Sequence, residues 1–249
     1  ISICITALIL AVKDVKDTIK KYPDALTLCV KHAYPGLIEN GIKPFGCILL
    51  DPRSIEGTST HGIKRKDLLK DLDNDTKFFV ASMTDPSVTN YLREKKADIW
   101  GWHAFTESLR DDEDRKQGIK NNQVKIREDI GLPAGATLIT GGTCAAMRAI
   151  GMLHTMGFRN LHLFGFECSL EGEPTEDMKK ETTGADDEPK RPKYFQVSIE
   201  DKSYWTTGEF LAMAQDCEKT FADKTMGINY HFYGGDSLVS QIWKSSMKK

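Results

Sequence analysis

No two cysteines stand at CxxC spacing in this sequence, although it holds six of them, Cys4, Cys29, Cys47, Cys144, Cys168 and Cys217, mostly within apolar runs. That absence argues against a zinc site or a redox dithiol and leaves buried thiols in a reducing compartment, which points to the cytoplasm. HExxH is missing too, so His154 and His162 read as structural. Neither a GxSxG elbow nor a Ser-His-Asp order is present, which disfavours hydrolysis through a covalent serine. GxGxxG and GxxxxGKS are also absent. Nor is there an excess of charge: Lys plus Arg total 34 against 36 for Asp plus Glu, so no global field draws the chain to nucleic acid or an anionic membrane. The longest apolar opening, ISICITALILAV, is too short to span a bilayer. It reads as a first core strand running into a helix, or as the remnant of a longer N-terminus.

What the sequence does contain is a rhythm. Its 249 residues are 40% apolar, enough for one sizeable core. Short apolar segments run from Ile1 to Thr6, Ala25 to Val30, Phe45 to Leu50, Lys77 to Ser82, Asp98 to His103, Thr137 to Thr140 and Leu161 to Phe166, with Tyr194 to Ile199 and Ile228 to Phe232 beyond. One-sided helical patterns separate them at Val12 to Lys21, Pro35 to Asn40, Ile63 to Leu72, Ser87 to Lys95 and Cys144 to Met156. This alternation predicts a single α/β domain over 1–249, a Rossmann-like, doubly wound, mostly parallel sheet with helices on both faces. Ligands of such sheets bind beyond the carboxyl ends of the strands, where strand order reverses.

Two segments break the rhythm. Residues 106–130, with RDDEDRKQG, read as a charged helical insert, or as a substrate lid. Residues 171–191 carry Gly, Pro and charge and few apolar side chains, which predicts a mobile loop. After it, Thr206 with Glu209 fits a capping box, and Phe210, Met213, Ala214, Cys217 and Phe221 form a core-facing stripe.

The stretch TLITGGTCAAMRAIG delivers Gly141 and Gly142 from a strand to a small-residue helix entered through Thr143 and Cys144. Such a turn is either a tight structural connection or a cradle of backbone N–H groups for a phosphate. LHLFGFECS puts Glu167 at a strand end, as a ligand for Mg²⁺ or a ribose hydroxyl, or as a loop cap. CILLDPR presents Asp51 likewise, as a second metal or hydroxyl ligand or as a turn-holding aspartate. VASMTDPS reads as a routine Asp-Pro helix entry. Gly234, Gly235, Asp236 and Ser237 make a second glycine turn, and two such turns suggest two anionic ends of one ligand. His103 and His231, at or near strand ends, are candidate general bases.

Four blocks, LCVKHAYPGLIENGIKPFGCILLDPR, ITGGTCAAMRAIGMLHTMGFRNLHLFGFECS, YWTTGEFLAMAQDCEKTF and GGDSLVSQIW, resemble the 6-hydroxymethylpterin diphosphokinase MptE-like family. The resemblance runs from Asp24 to Trp243, apart from the insert and the loop. It implies a Rossmann-like fold related to sialyltransferase-like enzymes, and a nucleotide-dependent transferase. Archaeal members move diphosphate from ATP to a hydroxymethyl pterin with Mg²⁺; bacterial relatives include flagellin-modifying glycosyltransferase-like proteins. Carried onto this chain, the resemblance implies a phosphate turn at Gly141, Gly142 and Thr143, strand-end acids at Glu167 and Asp51, and a C-terminal turn at Gly235 and Asp236. The partners expected are a nucleotide or nucleotide-sugar donor and a small-molecule acceptor, with no nucleic acid and no membrane span. A CMP- or UDP-sugar glycosyltransferase and a nucleotide-binding module without catalysis are the alternatives. The family has aspartate where Glu167 stands, and a glycine-rich turn after its first strand. ISICITALILAV has no such turn, which points to residues absent between Ala7 and Leu8.

Overall fold

The computed structural model describes residues 2–6, 12–58, 63–105, 131–133, 137–142, 144–179, 182–183, 189–190 and 193–247. The segment 106–130, expected as a charged insert, lies outside them, as does Thr143.

Apolar runs of four or five residues form the central strands β1 (Ser2–Thr6), β2 (Leu26–Val30), β3 (Gly46–Leu49), β4 (Lys77–Ala81) and β7 (Asn160–Phe164). β5 (Asp98–Ala104), β6 (Leu138–Ile139) and β12 (Asn229–Tyr233) complete a sheet ordered β12-β7-β1-β2-β3-β4-β5-β6. All its pairings are parallel. Such a sheet must be covered on both faces, and the strands alternate accordingly. Ile3, Leu28, Ile48 and Phe79 turn to one side, where α4 (Ala145–Thr155), α6 (Gly208–Ala222) and α7 (Leu238–Met247) pack. Cys4, Cys29, Cys47 and Phe78 turn to the other, against α1 (Val12–Lys21), α2 (Tyr34–Glu39) and α3 (Pro86–Glu94). Full burial of a side chain such as Phe78 or Leu28 contributes about 1.5–3 kcal/mol.

Local chemistry sets the helix ends. Asp85 accepts a hydrogen bond from the Ser87 N–H and Pro86 opens α3, as the Asp-Pro pair predicts. α6 differs from expectation. Its cap is Thr207, whose hydroxyl accepts from Phe210 N, while Thr206 is buried on a strand and donates to the Cys168 carbonyl at 2.8 Å. The Tyr194–Ile199 segment also leaves the main sheet. It pairs as β10 with β11 (Lys202–Thr207) in an antiparallel hairpin. Within the expected loop, a helical turn α5 (Glu176–Lys179) and the two-residue strands β8 (Thr182–Thr183) and β9 (Pro189–Lys190) are described.

Gly151 sits inside α4 for a packing reason. A Cβ there would run into the carbonyl oxygen of Thr140, so glycine lets the helix lie against the strand it follows. None of the described helices is long and apolar enough to cross a membrane.

Candidate functional site

β1 is the point where strand order reverses, with β2 to β6 on one side and β7 and β12 on the other. In open α/β sheets ligands bind beyond the carboxyl ends of the strands at such a point, which makes the crevice expected beside β1, β2 and β7 the candidate place. Residues 7–11, which follow β1, lie outside the described residues.

Glu167 stands just past β7 beside that crevice. Its Oε2 is buried and has no hydrogen-bond partner. A Cβ on Gly234 would lie 3.3 Å from its Oε1, so the carboxyl faces the bare backbone of the turn after β12. Burial pushes the Glu167 carboxyl up, its own backbone N–H opposes this, and Glu171 adds to the rise. A half-buried carboxyl with one unpartnered oxygen and a raised pKa is suited to taking up or giving a proton.

The turn at Gly141 and Gly142 comes to the same end of the molecule, because Cys144 and Glu167 are both electrostatic neighbours of the Cys168 thiol. Gly141 has φ +125°, and a Cβ there would stand 2.7 Å from the Met147 carbonyl oxygen. Two of the amides at the helix entry are engaged from within. The N–H groups of Ala146 and Met147 face the Cys144 sulfur, and the Asp216 carboxylate of α6 lies so close to Gly142 that no side chain fits between. A carboxylate of this chain thus stands beside the helix N-terminus. Sequence reading missed Asp216, which its helical spacing marks only as a polar position beside the stripe.

The second glycine turn is likewise partnered. Asp236 accepts from Lys202 Nζ at 2.6 Å and from Tyr204 Oη at 2.9 Å. Ser237 and Ser240 bond reciprocally at the start of α7, where Leu238 N and Val239 N donate to Ser169 Oγ and the Glu167 carbonyl. Gly235 is open, with nothing near the place of a Cβ.

Asp51 is not a free strand-end acid. Its oxygens accept from Lys31 Nζ at 2.6 Å and from Arg53 Nε and Nη2 at 2.7 and 3.1 Å, with Arg65 Nε at 3.7 Å. Burial would raise its carboxyl, but the bonds from Arg53 and Lys31 outweigh it and hold the group well below the usual range. β2 and β1 also separate β3 from β7, about 14 Å at ordinary strand spacing. Asp51 and Glu167 are expected as Mg²⁺ ligands; ligands to that ion lie about 2.1 Å from it, so at this separation the two carboxylates do not meet on one ion, and Asp51 is already bonded to Lys31 and Arg53. Among the described residues no three His, Cys, Asp or Glu gather as metal ligands.

The histidines fall elsewhere. His103, with Nδ1 buried and unpartnered, ends β5, which β4, β3 and β2 separate from β1. His231 lies mid-strand on β12, stacked 4.5 Å from the ring of His162. Neither meets Glu167.

The fold defines a Rossmann-like α/β protein whose strand order reverses at β1. Residues 12–173 match the 6-hydroxymethylpterin diphosphokinase MptE-like family, and the chain belongs to that family. Among solved structures it is similar to the MAf glycosyltransferase of Magnetospirillum magneticum AMB-1, with TM-score 0.57 and 12% identity. That likeness, which shows the fold, covers 99% of this chain and 36% of the other. No curated protein matches the chain.

Proposed function

We propose that the chain is a transferase that uses a nucleotide-activated donor, and that it moves diphosphate from ATP to a hydroxymethyl acceptor such as a pterin. Family membership supports this reading, and the observation that carries it is the buried, unpartnered Glu167 Oε2 at the switch-point crevice. The acceptor hydroxyl donates to Oε2, and the carboxylate takes that proton as the oxygen bonds to the β-phosphorus. The bond from the β-phosphorus to the bridging oxygen breaks, and AMP leaves with that oxygen and the electron pair. Holding the two substrates in line supplies much of the acceleration. The turn after β12, whose Gly234 faces Glu167, borders the proposed site. Among the described residues, those named form no Mg²⁺ site.

A second reading, sugar transfer from a CMP- or UDP-sugar, is favoured by the likeness to a glycosyltransferase over nearly the whole chain. Calorimetry with ATP, CMP and UDP, followed by single-turnover assays with hydroxymethyl and sugar acceptors, separates the two. ATP binding with AMP release supports diphosphate transfer, and CMP or UDP preference supports sugar transfer. Binding without turnover in any acceptor leaves a nucleotide-binding module. No heat with any nucleotide overturns the proposal.

A further inference from the structure

Asp51 explains only part of the charge gathered around it. Lys31 closes β2, Arg53 follows β3, and Arg65 opens a 3₁₀ turn (Arg65–Leu69), so three separate segments bring cations to one carboxylate. The side chains of Lys31 and Arg65 are 9% and 3% exposed. Arg65 Nη1 donates to the Ser54 carbonyl at 2.7 Å, yet its Nε and Nη2 are buried and have no hydrogen-bond acceptor. Asp85 lies near Arg65 but caps α3 through Ser87 and, among the described residues, forms no ion pair with the cluster. Guanidinium groups stay charged, so buried Lys31 and Arg65 alone set two positive charges against the single charge of Asp51 among the described residues. Buried charged donors without acceptors are costly, and proteins keep them where a ligand supplies the acceptors.

We infer that Lys31, Arg53 and Arg65 form a binding site for a phosphoryl-class oxyanion, the phosphate end of a nucleotide or a phosphate borne by another molecule. Planar guanidinium forks match pairs of phosphate oxygens, and an ammonium adds a point charge. Asp51 serves as the positioning residue that holds the three cations against their mutual repulsion. Arg53, with 34% of its side chain exposed, is the open side; Lys31 and Arg65 form the inner wall. The tips of β2 and β3 adjoin the β1 crevice, so the anion would sit next to the acceptor region rather than at either glycine turn. This site stands independently of the transferase reading.

The test follows thermal unfolding and calorimetry of the full chain with inorganic phosphate and with diphosphate, against chloride at matched ionic strength. Phosphate should raise the unfolding midpoint where chloride does not. Arg53→Gln and Lys31→Met should each weaken phosphate binding about tenfold or more, the loss of one charge-assisted hydrogen bond. Arg53 is exposed enough for its variant to fold if Lys31→Met does not. A purely structural ion pair predicts something else: destabilised variants in every buffer, with phosphate no different from chloride. That result, or equal phosphate responses in parent and variants, overturns the site. Competition between phosphate and ATP or CMP assigns the anion to the donor, and simultaneous binding assigns it to a second substrate or a product; either upholds the site. Nucleotide binding in a chain indifferent to phosphate would sink the cluster and spare the transferase reading. The reverse pattern would spare the cluster alone.

Discussion

The Glu167 carboxyl faces Gly234 across the gap between neighbouring strands β7 and β12, with 3.3 Å between Oε1 and the place a Cβ would occupy. Gly234 also has φ +147°. Gly234→Ala combines strained backbone with a crowded carboxyl, and should cost about 1–2 kcal/mol. Urea denaturation of the two chains measures it.

Glu167→Gln keeps the shape and removes the proton acceptor. Turnover should fall about 10²–10⁴-fold, the usual contribution of a positioned acid or base. Nucleotide affinity should stay unchanged by calorimetry, since the amide meets the same neighbours.

The same variant has a pH signature. The folded carboxyl is raised above its ordinary 4.5, so its stabilising contribution is full below that value and is lost as pH rises through the folded pKa. Glu167→Gln should flatten that decline in stability. Asp51 acts in the opposite sense. Its carboxyl is depressed, so its contribution is full above the ordinary 3.8 and is lost as pH falls through the folded value. Midpoints recorded from acid to neutral pH show both slopes.

Asp51→Asn should be far more damaging than a surface change. It leaves Lys31, Arg53 and Arg65 without their shared countercharge, at a cost of about 3–5 kcal/mol. Phosphate should restore part of the lost melting temperature.

Asp216→Asn tests the turn at Gly142. If a donor phosphate enters there, removing the resident carboxylate should tighten nucleotide binding several-fold. Unchanged affinity places the phosphates elsewhere on the carboxyl edge.

Gly151→Ala should reverse the usual helix preference. Alanine in a helix interior ordinarily gains about 1 kcal/mol over glycine. Here its methyl group collides with the Thr140 carbonyl, so the variant should be less stable by thermal denaturation.

Much of the architecture is legible in local pattern. The runs LTLCV, GCIL and KFFVA are short, apolar and rich in strand formers, and each becomes a buried parallel strand. The Asp85-Pro86 entry and the Glu167 strand end are legible for the same reason: each depends on neighbours a few residues away. The β11 strand is less so, because Lys202–Thr207 alternates too weakly to outweigh the helix signal that follows it.

The sequence by itself determined the alternation of strands and helices in the central sheet, the family, and the acids that follow β3 and β7, since these follow from periodicity and turn chemistry along the chain. Only the tertiary structure decided what those residues meet there. It filled the Gly142 turn with Asp216, surrounded Asp51 with Lys31, Arg53 and Arg65, and left Glu167 without a partner. Partners from distant segments set the charge and burial of a site, and no local pattern encodes which segments the sheet will bring side by side.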